Sequence, residues 1–253
     1  MTATVKVDMN IRGVARVVLN RPDVHNAFNA GMIAELCDAF HMLGRQEVVR
    51  VIVVSGEGKS FSAGADLNWM KQAAAQDETA NRSDAMKMAR MFETMNTCPK
   101  PVIGLVHGAA FGGGVGLAAC CDIVIAKPEA MFGLTEVRLG LIPAVISPFV
   151  LAKIGVAASR RYMLSGERFN AEEALRIGLV NEVTSDLDAV AGKVVEAFLA
   201  SAPGAVADIK ALIAEAELTG DLTSARIAAR RASDEGREGI GAFLDKRSPD
   251  WIA

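Results

Sequence analysis

The sequence predicts an α/β fold, a β-rich core of strand–loop–helix units followed by a helical C-terminal third. Two observations carry the core. Apolar runs rich in β-branched residues at 50–55, 102–106 and 123–126 read as strands, the first of the kind buried on both faces. Glycine-bearing loops at 56–64 and 108–116 follow the first two of these and lead into helical patterns. A third observation defines the rest: beyond Pro143 apolar positions recur mainly at helical spacing.

The elements follow in order. Residues 4–8 and 14–19 alternate or run apolar and are split by Asn10-Ile11-Arg12-Gly13, a hairpin pattern. Arg21-Pro22-Asp23 turns the chain, and Asn29 caps a helix through Leu43 whose apolar face is Met32, Ile33, Leu36, Ala39, Phe40 and Leu43, with Gly44 near its end. After the strand at 50–55 and its loop, Asp66 offers a helix start. Residues 72–90 form a polar, Ala- and Met-rich helix that Cys98-Pro99-Lys100-Pro101 must end. The strand at 102–106, the glycine cluster, a helix at 114–121 and the strand at 123–126 come next. Helices are then predicted at 147–154, 157–164, 171–177, 187–200, 205–217 and 222–237.

With 253 residues, 51% of them hydrophobic, the chain can bury a full core as one large domain or one domain with an appendage. A net charge of −3 and a pI near 5.7 give no basic footprint, which argues against nucleic acid or an acidic membrane surface as a partner. Residues 101–121 carry no formal charge, but their six glycines and His107 fit strand, turn and buried helix better than a membrane span. Cys37, Cys98, Cys120 and Cys121 have no metal-ligand spacing and suit a reduced, cytoplasmic protein. Residues 1–10 lack the basic and apolar regions of a secretory signal.

Familiar motifs fail on spacing. Gly58-Lys59-Ser60 lacks the first glycine of a phosphate loop, which would fall at Val53, and the glycine cluster has no GxGxxG spacing. Neither HExxH nor GxSxG occurs, and His25, His41 and His107 are scattered. What remains is two glycine-bearing loops, each after a strand. In a parallel sheet, loops after adjacent strands open at one edge, so an amide from each can converge on one carbonyl oxygen and stabilise charge developing there. The amides of Gly112, Gly113 and Gly114 lie at the positive end of the following helix. Glycines that merely let a helix approach its neighbour closely would look the same.

Several ordered blocks resemble the enoyl-CoA hydratase/isomerase (crotonase) superfamily. These are Leu19-Asn20-Arg21-Pro22 with Asn26-Ala27, the FSAGADL loop, Pro99-Lys100-Pro101-Val102-Ile103, GAAFGGGVGLAACCD, Glu136 with Leu139-Gly140-Leu141-Ile142-Pro143, Ala171-Glu172-Glu173-Ala174 with Gly178-Leu179-Val180, and Phe243-Leu244-Asp245-Lys246-Arg247. The resemblance implies the ClpP/crotonase fold of repeated ββα units, with a core at 1–195 and a helical region at 196–253 that serves trimerisation and covers CoA. It implies an acyl-CoA substrate, no cofactor beyond the CoA moiety, no metal, and a homotrimer or a dimer of trimers. It also implies that the amides of Ala65 and Gly113 form an oxyanion hole for the thioester enolate, that Ala63, Asp66, Leu67 and Asn68 line the CoA groove, and that Phe243 and Lys246 close over CoA, often from a neighbouring subunit. Gly112 and Gly116 complete the expected substrate contacts.

Hydratases of this superfamily generally carry two glutamates across the substrate. This sequence keeps one, Glu136, and has Gly116 where the other would be. Apolar neighbours Phe132, Leu134, Val137 and Leu139 predict a partly buried Glu136 with a raised pKa. One glutamate also resembles the enoyl-CoA isomerases, whereas GGGVGLAACCDI, Thr-Glu-Val-Arg-Leu-Gly and Pro143-Ala144-Val145-Ile146-Ser147-Pro148 resemble most the bacterial methylglutaconyl-CoA and isohexenylglutaconyl-CoA hydratases. That branch implies hydration of a branched, carboxylated 2-enoyl-CoA in leucine or acyclic-terpene breakdown. The substrate's own carboxylate then helps orient or deprotonate water in place of the missing glutamate, and Arg138 is either a clamp for it or a bridge to another helix or subunit. The alternatives are an isomerase using Glu136 alone and a non-catalytic acyl-CoA binder.

Overall fold

The computed structural model describes residues 3–252; residues 1, 2 and 253, the outer limits of the expected two regions and the start of the segment read as lacking a signal, lie outside them. In chain order the first half comprises β1 (Val5–Met9), β2 (Val14–Leu19), α1 (Ala30–Arg45), β3 (Val51–Gly56), α2 (Leu67–Ala74), α3 (Glu78–Asn96), β4 (Val102–Val106), β5 (Ala109–Phe111), α4 (Gly113–Cys120) and β6 (Ile123–Ala126). Then follow β7 (Met131–Gly133), a 3₁₀ turn (Glu136–Leu139), α5 (Ser147–Ser165), β8 (Arg168–Asn170), α6 (Ala171–Arg176), β9 (Glu182–Val183) and α7 (Leu187–Leu199). Three helices finish the chain: α8 (Pro203–Ile213), α9 (Gly220–Ala232) and α10 (Asp234–Leu244).

The main sheet has the order β1-β2-β3-β4-β6-β9, antiparallel at the first hairpin and parallel from β2 onward. Its central strands are apolar throughout because both faces are covered. Ile52, Val54, Val102 and Val106 face a core filled from α1, α3 and α4, while Val51, Val53, Ile103 and Leu105 face α7. A second sheet, β5-β7-β8, stands beside it. Its three-residue strands are too short for any alternation to show in the sequence, and it was not expected.

Boundaries shift where caps intervene. The helix expected at 72–90 is two helices, because Asp66 caps α2 and Asp77 caps α3. The helix expected at 222–237 is likewise broken at Ser233, which ends α9 and caps α10 through a 3.0 Å bond from the Gly236 amide. The two helices expected at 147–154 and 157–164 are both present as the two halves of α5, which breaks at Gly155, a residue at φ 73° and ψ 169° outside the helical region. The division between residues 195 and 196 falls within α7, whose Phe198 and Leu199 belong to the core packed on the sheet, so the C-terminal region begins after this helix.

The C-terminal region docks at the strand starts. Arg50, just before β3, donates to the carbonyls of Leu199, Ser201 and Trp251 at 2.8–3.1 Å. Lys210 of α8 donates to Lys100 O at 3.0 Å and to Asp122 Oδ2 at 2.5 Å, just before β4 and β6. Among the described residues no single helix is long and apolar enough to cross a membrane.

Candidate active site

β3 and β4 are adjacent and parallel, so the loops leaving them emerge at the same edge of the sheet. Ser62 joins those loops: its amide donates to Ala109 O at 3.0 Å, and the Phe111 amide donates to Ser62 O at 2.9 Å. On its other side the first loop runs beside residues 25–28. The Ala63 amide donates to His25 O, Phe28 to Gly64 O and Asp66 to Phe28 O, at 2.7–2.9 Å. This parallel bridge of Phe28 with Ala65 spends the amides of Phe28 and Asp66, which turns the Ala65 amide away from Phe28.

Asn26 braces the arrangement. It is 0% exposed, has φ 54°, and its Nδ2 donates to Glu57 O and Ser60 O at 2.9 and 2.8 Å while its Oδ1 accepts from the Arg21 amide at 2.8 Å. Asp66 is equally committed. Oδ2 pairs with Arg21 at 2.8 Å, and Oδ1 accepts from the amides of Asn68 and Trp69. Burial alone would raise its pKa, but Arg21 and the two amides together hold it below the usual value.

The second amide comes from α4. Gly112, at φ 49° and ψ −114°, turns the chain into the helix in a region that favours glycine, and Gly113 is the first helical residue, with no carbonyl one turn before it to accept its N–H. A side chain at Gly112 would begin 2.9 Å from Glu136 Oε1, so the carboxylate lies directly over this glycine. Glu136 opens the 3₁₀ turn beyond β7, and β7 pairs with β5, which fixes its approach to the start of α4. Its Oε2 is buried with no hydrogen-bond partner among the described residues, and burial raises the pKa of the group.

Ala65, Gly112, Gly113 and Glu136 share a cleft of about 540 Å³ whose walls include Phe28, Trp69, Met88 and Ile146. Among the described residues Glu136 is the single acidic or basic side chain that lines it. The arrangement brings a carboxyl group of raised pKa and the backbone of Ala65 and Gly113 to one apolar cavity, which is suited to moving a proton at carbon while charge collects on a neighbouring carbonyl oxygen. Among the described residues no group of three or more His, Cys, Asp or Glu side chains is placed to hold a metal ion.

Comparison with known proteins agrees with this geometry. The sequence profile of the enoyl-CoA hydratase/isomerase family matches residues 10–253. The chain belongs to the enoyl-CoA hydratase/isomerase family. The enoyl-CoA hydratase of Shewanella pealeana has the same fold with a TM-score of 0.95, at 45% identity over 98% of this chain and 96% of that one. Pseudomonas aeruginosa AtuE superposes with a TM-score of 0.94, at 36% identity over 99% of this chain and 100% of its own. The crotonyl-CoA hydratase of Syntrophomonas wolfei is 34% identical over 95% of both chains.

This enoyl-CoA hydratase/isomerase brings some of the expected residues together and separates others. Ala63, Ala65, Leu67, Gly112, Gly113 and Glu136 all line the cleft. Asp66 and Asn68 line a smaller groove beside it with Arg21 and Gln72, and the Asp66 carboxylate is already occupied. Gly116 does not reach the cleft. A Cβ there would stand 2.4 Å from Ile146 Cγ2 and 3.0 Å from Phe92 Cε1, so Ile146 fills the space a longer side chain would need. Arg138 is no clamp either, because its exposed side chain leaves the cleft and lies against Gly166 at the end of α5. Phe243 is 82% exposed, and neither it nor Lys246 lines this chain's cleft. Sequence reasoning missed Phe28, Trp69 and Ile146 as cleft walls and Asn26 as a brace. Phe28 and Trp69 read as ordinary core positions, and Asn26 and Ile146 were visible only as parts of family motifs.

Proposed function

We propose that this enzyme adds water to a branched 2-enoyl-CoA that carries a distal carboxylate, of the methylglutaconyl or isohexenylglutaconyl kind. The observation that carries the proposal is a cleft with one carboxyl group, Glu136, and with Ile146 sealing the position where a second would stand. The Ala65 and Gly113 amides hold the thioester oxygen as negative charge develops on it. Glu136, raised in pKa by burial, gives its proton to the α-carbon. Water oxygen bonds to the β-carbon, and its proton passes to the substrate's carboxylate, from which solvent returns it to Glu136. No cofactor beyond the CoA moiety enters this scheme.

The second reading, double-bond migration with Glu136 as the sole base, rests on the same single carboxyl group. A matched pair of branched enoyl thioesters, one with the distal carboxylate and one with its neutral methyl ester, separates the readings. Hydration requires a general base for water, worth about 10²–10⁴ in rate, so the ester is expected to react slower by roughly that factor. Equal rates would remove the carboxylate from the mechanism.

The assembly is proposed as a homotrimer or a dimer of trimers. Ile240, Phe243 and Leu244 expose a large apolar face on α10, at the end of the chain docked to the strand starts and away from its own cleft. Phe243 and Lys246 therefore reach a CoA moiety in a neighbouring subunit, with Lys246 meeting a phosphate. Cys37, Cys98, Cys120 and Cys121 are free thiols, in keeping with a cytoplasmic location.

A further inference from the structure

Trp69 stands three residues beyond Asp66, on the first turn of α2. Its amide donates to Asp66 Oδ1 at 3.3 Å, and Asp66 is itself fixed by Arg21 and by Phe28 O. The loop that aims the Ala65 amide thus also sets where the indole lies. Trp69 is partly buried, packed against the main core, and forms a wall of the active cleft beside Met70, Ala85 and Met88.

Behind it lies a second cavity of about 240 Å³ between α1 and α3. Ile33, Ala34 and Cys37 supply its apolar side, and the exposed Lys87–Asp84 pair, at 2.9 Å, marks its outer rim. Ala85 and Met88 of α3 face the cleft while Asp84 and Lys87 face the second cavity, so the helix runs past both. Among the described residues Trp69 is the one that lines both spaces.

We propose that the Trp69 side chain is the partition that ends the acyl cleft on the side of α1, limiting how far a straight acyl chain extends there, and that the cavity behind it is an acyl subsite opened by trimming that side chain. This rests on the reading of the cleft as an acyl-thioester site. A longer straight chain passing the partition would bury its methylenes against Ile33, Ala34 and Cys37 and leave its end at the charged rim.

The test measures kcat/KM for butenoyl-, hexenoyl- and decenoyl-CoA with wild type, Trp69→Phe and Trp69→Ala. In parallel, calorimetry measures binding of the saturated butyryl- and decanoyl-CoA, which cannot react. Trp69→Ala is expected to raise the decenoyl-to-butenoyl ratio of kcat/KM and the decanoyl-to-butyryl ratio of affinity by roughly tenfold or more, a change comparable to adjusting a hydrophobic pocket by a methylene or two, with Trp69→Phe between. Equal changes at every chain length, or a wild type that already favours decenoyl-CoA, would overturn the proposal. If Trp69→Ala does not fold, Trp69→Phe decides alone, an unchanged binding ratio counting against the partition. If neither these thioesters nor a branched, carboxylated 2-enoyl-CoA turns over in wild type while the saturated ligands show the shift, the reaction assignment fails and the partition stands.

Discussion

Gly113 and Gly116 stand about one turn apart on α4, and the two ends of that turn serve opposite ends. At Gly113 the backbone opens to the cleft, and a Cβ would press on the Phe28 ring at 2.7 Å, so glycine keeps an amide accessible beside an aromatic wall. At Gly116 the backbone is sealed, because Ile146 and Phe92 fill the space above it. A side chain closes on the glycine in both places, Phe28 on Gly113 and Ile146 on Gly116, but Gly113 lines the cleft and Gly116 does not. The difference lies in residues distant in the chain, Phe28 and Ile146, and it underlies the proposal that Glu136 carries the proton chemistry without a second glutamate.

The strongest way to break this contrast is Glu136→Gln, which keeps the shape of the side chain and removes its proton. We expect kcat to fall by about 10²–10⁴ with KM changed little, followed by loss of enoyl thioester absorbance. The pH profile has a definite sign. As the acid for the α-carbon, Glu136 must be protonated, so hydration is lost as pH rises through a pKa that burial has moved above the ordinary glutamate value. A profile flat through that range would remove Glu136 from the step.

Gly113→Ala comes next. Displacing the amide against Phe28 is expected to lower kcat by about 10²–10³, the usual cost of one oxyanion donor, while circular dichroism shows an intact fold. At Gly116 the expected effect is on stability. Gly116→Ala overpacks against Ile146 and costs about 1–3 kcal/mol, and Ile146→Ala alone costs about 2–5 kcal/mol by opening a cavity. Denaturant unfolding of the double variant should show a coupling of about 0.5–3 kcal/mol, since the new methyl enters the space Ile146 vacates. Simple additivity would mean that the two residues do not share that space. The smallest effect belongs to Arg138→Met, expected to alter stability by at most about 0.5 kcal/mol and to leave the preference for a carboxylated substrate intact.

Much of this arrangement is legible in the sequence. Buried parallel strands announce themselves as short apolar runs, and the caps at Asn29 and Asp66 fall where the side-chain chemistry puts them. The convergence of two loops follows from parallel neighbours alone, and Glu136 is half-buried beside them as its apolar flanks imply. What the sequence does not reveal depends on tertiary neighbours. Arg138 lies in an apolar stretch like a buried clamp, yet the 3₁₀ turn that points Glu136 inward points Arg138 outward to Gly166. Ile146 looks like any residue before a helix, and only the approach of α5 to α4 makes it the plug over Gly116. Short strands such as β5 and β9 carry too few residues to show a period.

The central claim is that a cleft with a single glutamate adds water. The direct measurement is a reaction of the wild-type enzyme with a branched, carboxylated 2-enoyl-CoA in water labelled at oxygen, with the product analysed by mass spectrometry. Label in the new hydroxyl group, formed at catalytic rate, is the predicted result. A product whose double bond has moved without taking up labelled oxygen would contradict the account and assign Glu136 to isomerisation.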